Sequence, residues 1–189
     1  MSGREELIQA ALRRARDEGF GALSVRGVAR EAGVGATTLR HYFPSQAALH
    51  HAVATALVTT VLDDLAIEDD TADPATRLYD CLDQFLPDRA AATESWFDLY
   101  CTALAPDAAP SLRNVLHGAH AASATAVRRW LSILAAQGHL AGQDIDDQVA
   151  YVLAMINGMQ LGMVVEPDRH DLSRDRRLLR WYTRKLLPA

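Results

Sequence analysis

Between Leu23 and Leu49 the apolar positions recur at helical spacing and are interrupted twice. Val25, Val28 and Ala29 fall at i, i+3 and i+4 and give a short helix one apolar stripe. Ala32-Gly33-Val34-Gly35 then breaks the pattern. Gly33 is suited to the left-handed conformation that ends a helix, and Gly35 to the position just before the next one. Val34 between them is an apolar pin for the turn. A second short helix, Ala36 to Phe43, carries Leu39, Tyr42 and Phe43 on one side and leaves Thr37, Thr38, Arg40 and His41 elsewhere. Pro44-Ser45 stops it, and Ser45 is placed to cap the helix that follows.

The same periodicity reads as helix along the rest of the chain, so the expected fold is all-α. Ser2-x-x-Glu5 is a capping-box signature ahead of Leu7, Ala11, Leu12 and Ala15, with Gly19 as the stop. Phe20 and Leu23 close the small core. A connecting helix runs through Leu49, Val53, Leu57, Val61 and Leu65, with His50 and His51 near its start read as surface or phosphate-adjacent residues rather than metal ligands. Ile67 to Pro74 is an acidic, proline-ended loop. Thr71 or Asp73 then caps a helix through Leu78, Cys81, Leu82, Phe85 and Leu86, stopped by Pro87. Further helices are expected from Arg89 to Leu104, Ser111 to Gln137 and Ile145 to Val165, with a loop from Gly142 to Asp146. A last one is capped by Ser173 and has Leu178, Leu179, Tyr182, Leu186 and Leu187 as its apolar face.

Two helices joined by a three- or four-residue glycine turn form a helix-turn-helix. Its exposed residues suit DNA: Thr37 and Thr38 reach phosphates or base edges, Arg40 pairs with guanine or a phosphate, and His41 and Tyr42 donate to phosphates. Val25-Arg26, Val28-Ala29, Glu31-Ala32-Gly33-Val34, Thr38-Leu39, His41-Tyr42-Phe43-Pro44-Ser45 and Ala48-Leu49 resemble the N-terminal domain of the tetracycline-repressor (TetR) family. The resemblance implies an N-terminal three-helix helix-turn-helix DNA-binding domain, residues 1–51, followed by a larger all-helical ligand-binding and dimerisation domain, residues 52–189. It places Arg26, Gly35, Ala36, Thr37, Thr38, Arg40, His41, Tyr42 and Gln46 at the DNA. Ala36 and Gln46 stand where the family often carries lysine, and Arg40 where an aromatic residue is frequent.

In the body, the helix from Ile145 to Val165 is apolar nearly all round and so needs cover on every side. Gly158 and Gly162, four apart, admit a close neighbour. With the last helix it is expected to form a four-helix dimer interface through Val152, Met155, Met159, Gly162, Met163, Leu179 and Tyr182. The alternative is burial within one chain's core. A homodimer suits DNA reading, because two half-sites lie about one helical turn apart. The family's architecture implies a pocket for a small-molecule effector, with Phe85, Trp96, Tyr100, His117, His120 and Asn157 as lining candidates. His117-x-x-His120 shares a helix face, but spacing offers no third ligand, so no metal is expected. No cofactor is expected either.

Charge refines the picture. The net charge of −5 hides an asymmetry: residues 1–51 hold seven arginines against five acids, and residues 52–189 twelve basic against nineteen acidic residues. A mildly basic head on an acidic body fits a modular DNA binder. Arg4, Arg13, Arg14 and Arg16 read as a solvated basic face as readily as phosphate contacts. The cluster Arg174, Arg176, Arg177, Arg180, Arg184 and Lys185 in the last helix reads as a solvated face paired with acids. Cys81 and Cys101 form no C-x-x-C and read as free, buried thiols of a reducing compartment. The uncharged run 148–165 contains Gln148, Asn157, Gln160 and two glycines and reads as a buried helix rather than a membrane span. The charged start is no secretory signal, so a cytoplasmic protein is expected. No hydrolase, P-loop, zinc-protease or dinucleotide motif gives an enzyme. The expected function is ligand-responsive, DNA-binding transcription regulation by a repressor that binds a pseudo-palindromic operator as a dimer. The alternatives are a helical ligand-binding or interaction protein with weakened DNA binding, or an α-helical enzyme.

Overall fold

The computed structural model describes residues 3–18, 23–86, 100–101, 103–106, 110–140, 142–166 and 168–188. Among these residues the regular secondary structure is helical. The elements are α1 (Gly3–Glu18), α2 (Val25–Glu31), α3 (Ala36–Tyr42), α4 (Gln46–Val61), α5 (Pro74–Asp83), α6 (Pro110–Ala136), α7 (Ile145–Val165) and α8 (Leu172–Leu186). Residues 100–101 and 103–104 are also helical. The chain divides into two compact units, residues 1–60 with 98–122 and residues 61–97 with 123–189.

The first unit is organised by its turn. Ser24 caps α2, its hydroxyl accepting from the Gly27 amide at 3.1 Å. At the other end Gly33 takes φ +68°. The Gly33 amide donates to Arg30 O at 3.2 Å and the Val34 amide to Ala29 O at 2.9 Å. This pair of reversed bonds satisfies carbonyls that the helix end leaves open and turns the chain sharply into α3. Beneath the turn, Leu7, Ala11, Ala15, Leu23, Val28, Leu39, Phe43, Leu49 and Val53 form one core, with Val34 packed at its edge. Ser45 caps α4 through the Ala48 amide at 3.0 Å, as the sequence requires. Gly118 of α6 lies so close to α4 that an added Cβ would stand 3.2 Å from the His51 Cα. The capping expectation for Ser2, and Phe20, lie outside the described residues.

The second unit packs α5, the C-terminal part of α6, α7 and α8. Asp73 caps α5 through the Thr76 amide at 2.8 Å. Asp144 caps α7 through the amides of Asp146 and Asp147. Asp171, rather than Ser173, caps α8, because the helix begins at Leu172 and the Asp171 carboxylate receives the Arg174 amide at 3.1 Å. Gly138, at φ +88°, ends α6 with the same two reversed bonds as the turn after α2. Leu112, Val115, Leu116, Ala119, Val127, Leu131 and Leu134 face inward along α6, as their spacing predicts.

Several expectations are corrected. α4 ends at Val61 rather than running to Leu65. Asp63 and Asp64 turn their amides to Gln84 and to the Asp63 side chain, and Leu65 takes φ 46°. The expected loop leads into α5, and Ile67 at its start is fully buried. His50 is buried, not surface. Cys101 is exposed, whereas Cys81 is buried as expected. Leu178 is exposed, unlike its neighbours on α8. Most of the expected helix from Arg89 to Leu104 lies outside the described residues.

Two outcomes follow for the folded chain. Leu39→Ala removes a fully buried side chain beneath the turn and should cost about 2–5 kcal/mol. A urea titration followed by far-UV circular dichroism checks this, and an unshifted midpoint contradicts the assigned core. Burial and the neighbouring carboxylates of Asp64, Asp80 and Asp63 push the Cys81 thiol up to about 12. Because the thiolate is the reactive form, a thiol-specific disulfide reagent at mildly alkaline pH should label Cys101 alone in the native protein and both cysteines in urea. Native labelling of Cys81 would contradict its burial.

Candidate nucleic-acid interface and effector-lining residues

With Leu39 and Phe43 pointing into the core, α3 presents Thr37, Thr38, Arg40 and His41 to solvent. Arg26 and Arg30 are exposed on α2, four apart and hence on one side. None of Arg26, Arg30 and Arg40 has an ion pair among the described residues. Arg30 escaped the sequence reading, although its spacing from Arg26 is the signal that finds it. Glu31, the acid of this segment, is drawn away by Arg13 at 3.7 Å. The surface left by the two helices is cationic and hydroxyl-bearing, with Gly35 exposed at the turn and Ala36 half-buried behind it.

Tyr42 is 39% exposed. Its ring stands edge-on to His41, with centroids 5.3 Å apart, and its hydroxyl lies over the start of α1, 3.1 Å from where a Cβ on Gly3 would sit. The phenol thus bridges the ends of α3 and α1. The arginines of α1 are largely engaged: Arg4 lies 5.4 Å over the Phe43 ring, Arg13 pairs with Glu31 and Arg14 with Glu18.

Gln46 is exposed, yet its Nε2 donates to Leu23 O at 3.2 Å. His50, one turn on, reaches the same carbonyl with Nε2 at 2.8 Å. Since a carbonyl only accepts, Nε2 donates this bond, and the buried Nδ1 finds no hydrogen-bond partner among the described residues. Two side chains of α4 therefore hold the entry to α2.

The expected effector residues are divided between the two units. Phe85 is half-buried in the second unit, edge-on to Trp130 at 6.3 Å, and its carbonyl accepts from Gln160 at 2.8 Å. Tyr100, in the first unit, is half-buried, which raises its phenol above the usual range. His117 and His120 are exposed on the first unit and Asn157 on the second. Trp96 lies outside the described residues. A cleft of about 260 Å³ opens instead between α5 and α8, lined by Thr76, Tyr79, Asp80, Arg180, Thr183 and Arg184 among others.

The expected dimer residues lie on the inward side of α7 and α8 for the most part. Val152, Met159, Met163, Leu179 and Tyr182 are buried in the chain's own core, and Met155 is half-buried. Tyr182 stacks on Tyr151 and donates to Gln148 Oε1 at 2.9 Å. Gly162 is occupied by the chain's own His170, whose Nδ1 lies 3.3 Å from an added Cβ. The apolar side chains left in solvent are Tyr151, Leu161 and Val165 on α7 and Leu178 and Trp181 on α8.

Residues 7–53 match the family model described as "Bacterial regulatory proteins, tetR family". Residues 74–188 match the one described as "BetI-type transcriptional repressor, C-terminal". No curated protein matches. Among solved structures, a TetR transcription regulator from Haloarcula marismortui is 20% identical, with 97% of each chain covered and a TM-score of 0.60. The multidrug binding protein EbrR complexed with imidazole is 24% identical over 100% of this chain and 97% of that one, with a TM-score of 0.58. A protein from Saccharomonospora viridis, described as a candidate transcriptional regulator in complex with choline, is 18% identical over 97% and 96%, at 0.60. These likenesses show the shared fold. With both halves matched in order and an exposed helix-turn-helix at the front, the chain belongs to the TetR family of DNA-binding transcriptional regulators.

Proposed function

We propose that this protein is a repressor that binds a pseudo-palindromic operator as a homodimer and is released by a small organic molecule. The observation that carries the reading is the unpaired cationic and hydroxyl face of α2 and α3 above a closed core. Arg40, Thr37 and Thr38 read or approach bases, and Arg26, His41 and Tyr42 hold phosphates. Gly35 and Ala36 let the backbone come close. Gln46 contributes less than a lysine, since its amide is spent on Leu23 O. EbrR has been crystallised with imidazole and with malachite green, and the Saccharomonospora viridis protein with choline. A compact organic effector in the helical body of this chain follows by analogy. Phe85 and Tyr100 remain lining candidates, as does Trp96. Release requires that the effector bind the two states unequally, because equal affinity shifts nothing.

The family is regulatory, and a non-enzymatic role is part of this reading. So is a cytoplasmic location. α7 is long and apolar enough to cross a membrane, but Gln160 ties it to the turn after α5 and Tyr182 ties it to α8. For the dimer we take the solvent-facing side of α7 and α8. Tyr151, Gly158 and Val165 repeat every seven residues with Leu161 between them, and Leu178 and Trp181 continue the patch on α8. A second reading, a ligand-binding protein with weakened DNA affinity, is favoured by one observation, the neutral Gln46 and Ala36 at the edge of the interface.

Binding to the protein's own upstream duplex, measured at two salt concentrations, separates the two. A repressor prefers that duplex to random DNA and weakens as salt rises. Arg40→Ala should cost about 1–3 kcal/mol if Arg40 reads a base, and Tyr42→Ala should weaken all sequences alike and flatten the salt slope. No preference in the wild type sinks the repressor and favours the second reading. Light scattering tests the dimer face: Trp181→Asp should yield folded monomer, whereas Met159→Asp, which strikes the core, should yield unfolded protein. A folded dimer of the Trp181 variant would refute the assigned face.

A further inference from the structure

The cleft of about 260 Å³ between α5 and α8 lies wholly within the second unit. Each helix gives it a pair of residues one turn apart, Thr76 and Asp80 from α5 and Arg180 and Arg184 from α8. Ala75, Tyr79 and Thr183 are buried beneath them. Among the described residues, none of the effector candidates borders this cleft.

Its hydroxyl donors are all committed. The Thr76 hydroxyl donates to Asp73 Oδ2 at 2.6 Å, the Thr183 hydroxyl to Arg180 O at 3.1 Å and the Tyr79 hydroxyl to Asp83 Oδ1 at 3.3 Å. A hydroxyl has a single proton to give, so the donors left over are the two guanidinium groups. Arg180 and Arg184 are exposed, and neither side chain has an ion pair or hydrogen bond among the described residues. The Arg180 guanidinium lies 4.3 Å over the Tyr79 ring. A guanidinium laid on a ring keeps its N–H edges free in its own plane, and such an edge receives a carboxylate with two parallel bonds.

Charge decides which anion fits. Arg176 and Asp83, beside Tyr79, pair with each other at 2.9 Å and cancel. Asp80 lines the cleft with the two free arginines, and Asp73 lies near Arg184, its carboxyl held low first by the Thr76 hydroxyl and also by that charge. Two cations against Asp80 leave a place for a single negative charge. A doubly charged phosphate meets two carboxylates there. Ala75 and the Tyr79 ring offer apolar surface beside the arginines, which suits a short carbon chain.

We propose that the α5–α8 cleft is a binding site for a short-chain monocarboxylate, with its carboxylate between Arg180 and Arg184 and its carbon chain on Ala75 and Tyr79. The site is separate from the effector candidates and does not depend on DNA binding.

The test uses the purified full-length protein with sodium butyrate as probe, titrated by calorimetry at constant ionic strength. Wild type should bind butyrate at a saturable site and should not bind butyramide, its neutral counterpart. Inorganic phosphate should displace butyrate only at concentrations above those butyrate itself needs. Arg180→Gln and Arg184→Gln should each weaken butyrate about tenfold or more, since each removes a charged donor. Asp80→Asn should tighten it about two- to fivefold, since it removes a nearby exposed acid. All three side chains are exposed, and far-UV circular dichroism checks that each variant is folded. The gain in Asp80→Asn is a result that lost folding cannot imitate. Absence of saturable butyrate binding by the wild type, or an unchanged affinity in both arginine variants, overturns the proposal. Equal binding of butyramide, or displacement by phosphate at lower concentration, overturns the monocarboxylate assignment.

Discussion

The backbone carbonyl of Leu23 is the point on which the first unit turns. It lies just before the cap of α2, where no helix bond can satisfy it, and it is closed by the imidazole of His50 and the amide of Gln46. A buried carbonyl left open costs about 1–3 kcal/mol. Meeting that need from α4 ties the connecting helix to the entrance of the helix-turn-helix. The glycine turn after α2 fixes how α3 leaves α2, and the Leu23 carbonyl fixes where α4 stands beneath both. The exposed threonines and arginines gain their common direction from these two constraints.

How much of this was legible in the sequence varied with the kind of signal. The turn was readable because Gly33 between two amphipathic heptapeptides has few other uses, and the caps Ser45 and Asp73 precede apolar stripes. His50 was not readable: two adjacent histidines resemble surface, and only the fold reveals an open carbonyl across from one of them. The end of α4 was missed because Leu65 continues the apolar spacing, while the signal that stops the helix is a set of partners distant in sequence. Which side of α7 faces its own chain is hard to read for a different reason. A helix apolar on all sides carries almost no moment, so periodicity cannot say which side meets its own chain.

The arginine cluster of α8 shows the same principle from the other side. Arg176 pairs with Asp83 at 2.9 Å, Arg180 lies 4.3 Å over the Tyr79 ring, and the charge of Arg184 helps hold the Asp73 carboxyl below its usual range, after the Thr76 hydroxyl. Read along α5, the partners descend along α8, so the two helices run antiparallel with charged and aromatic rungs between them. What looked like a basic patch in one dimension is shared between a helix seam and the solvent. Exposed pairs of this kind add little stability individually. Their regular spacing gives the seam its register.

The glycines carry an implication for how the sequence is free to drift. At Gly118 an added carbon would stand 3.0 Å from the Ala54 Cβ and 3.2 Å from the His51 Cα, so α4 would have to give way. At Gly158 nothing lies within 4 Å of an added carbon, and a lone chain would tolerate alanine or serine without adjustment. The two positions therefore answer to different masters across evolutionary time. Within the chain, position 158 is open to larger residues and position 118 is tightly limited.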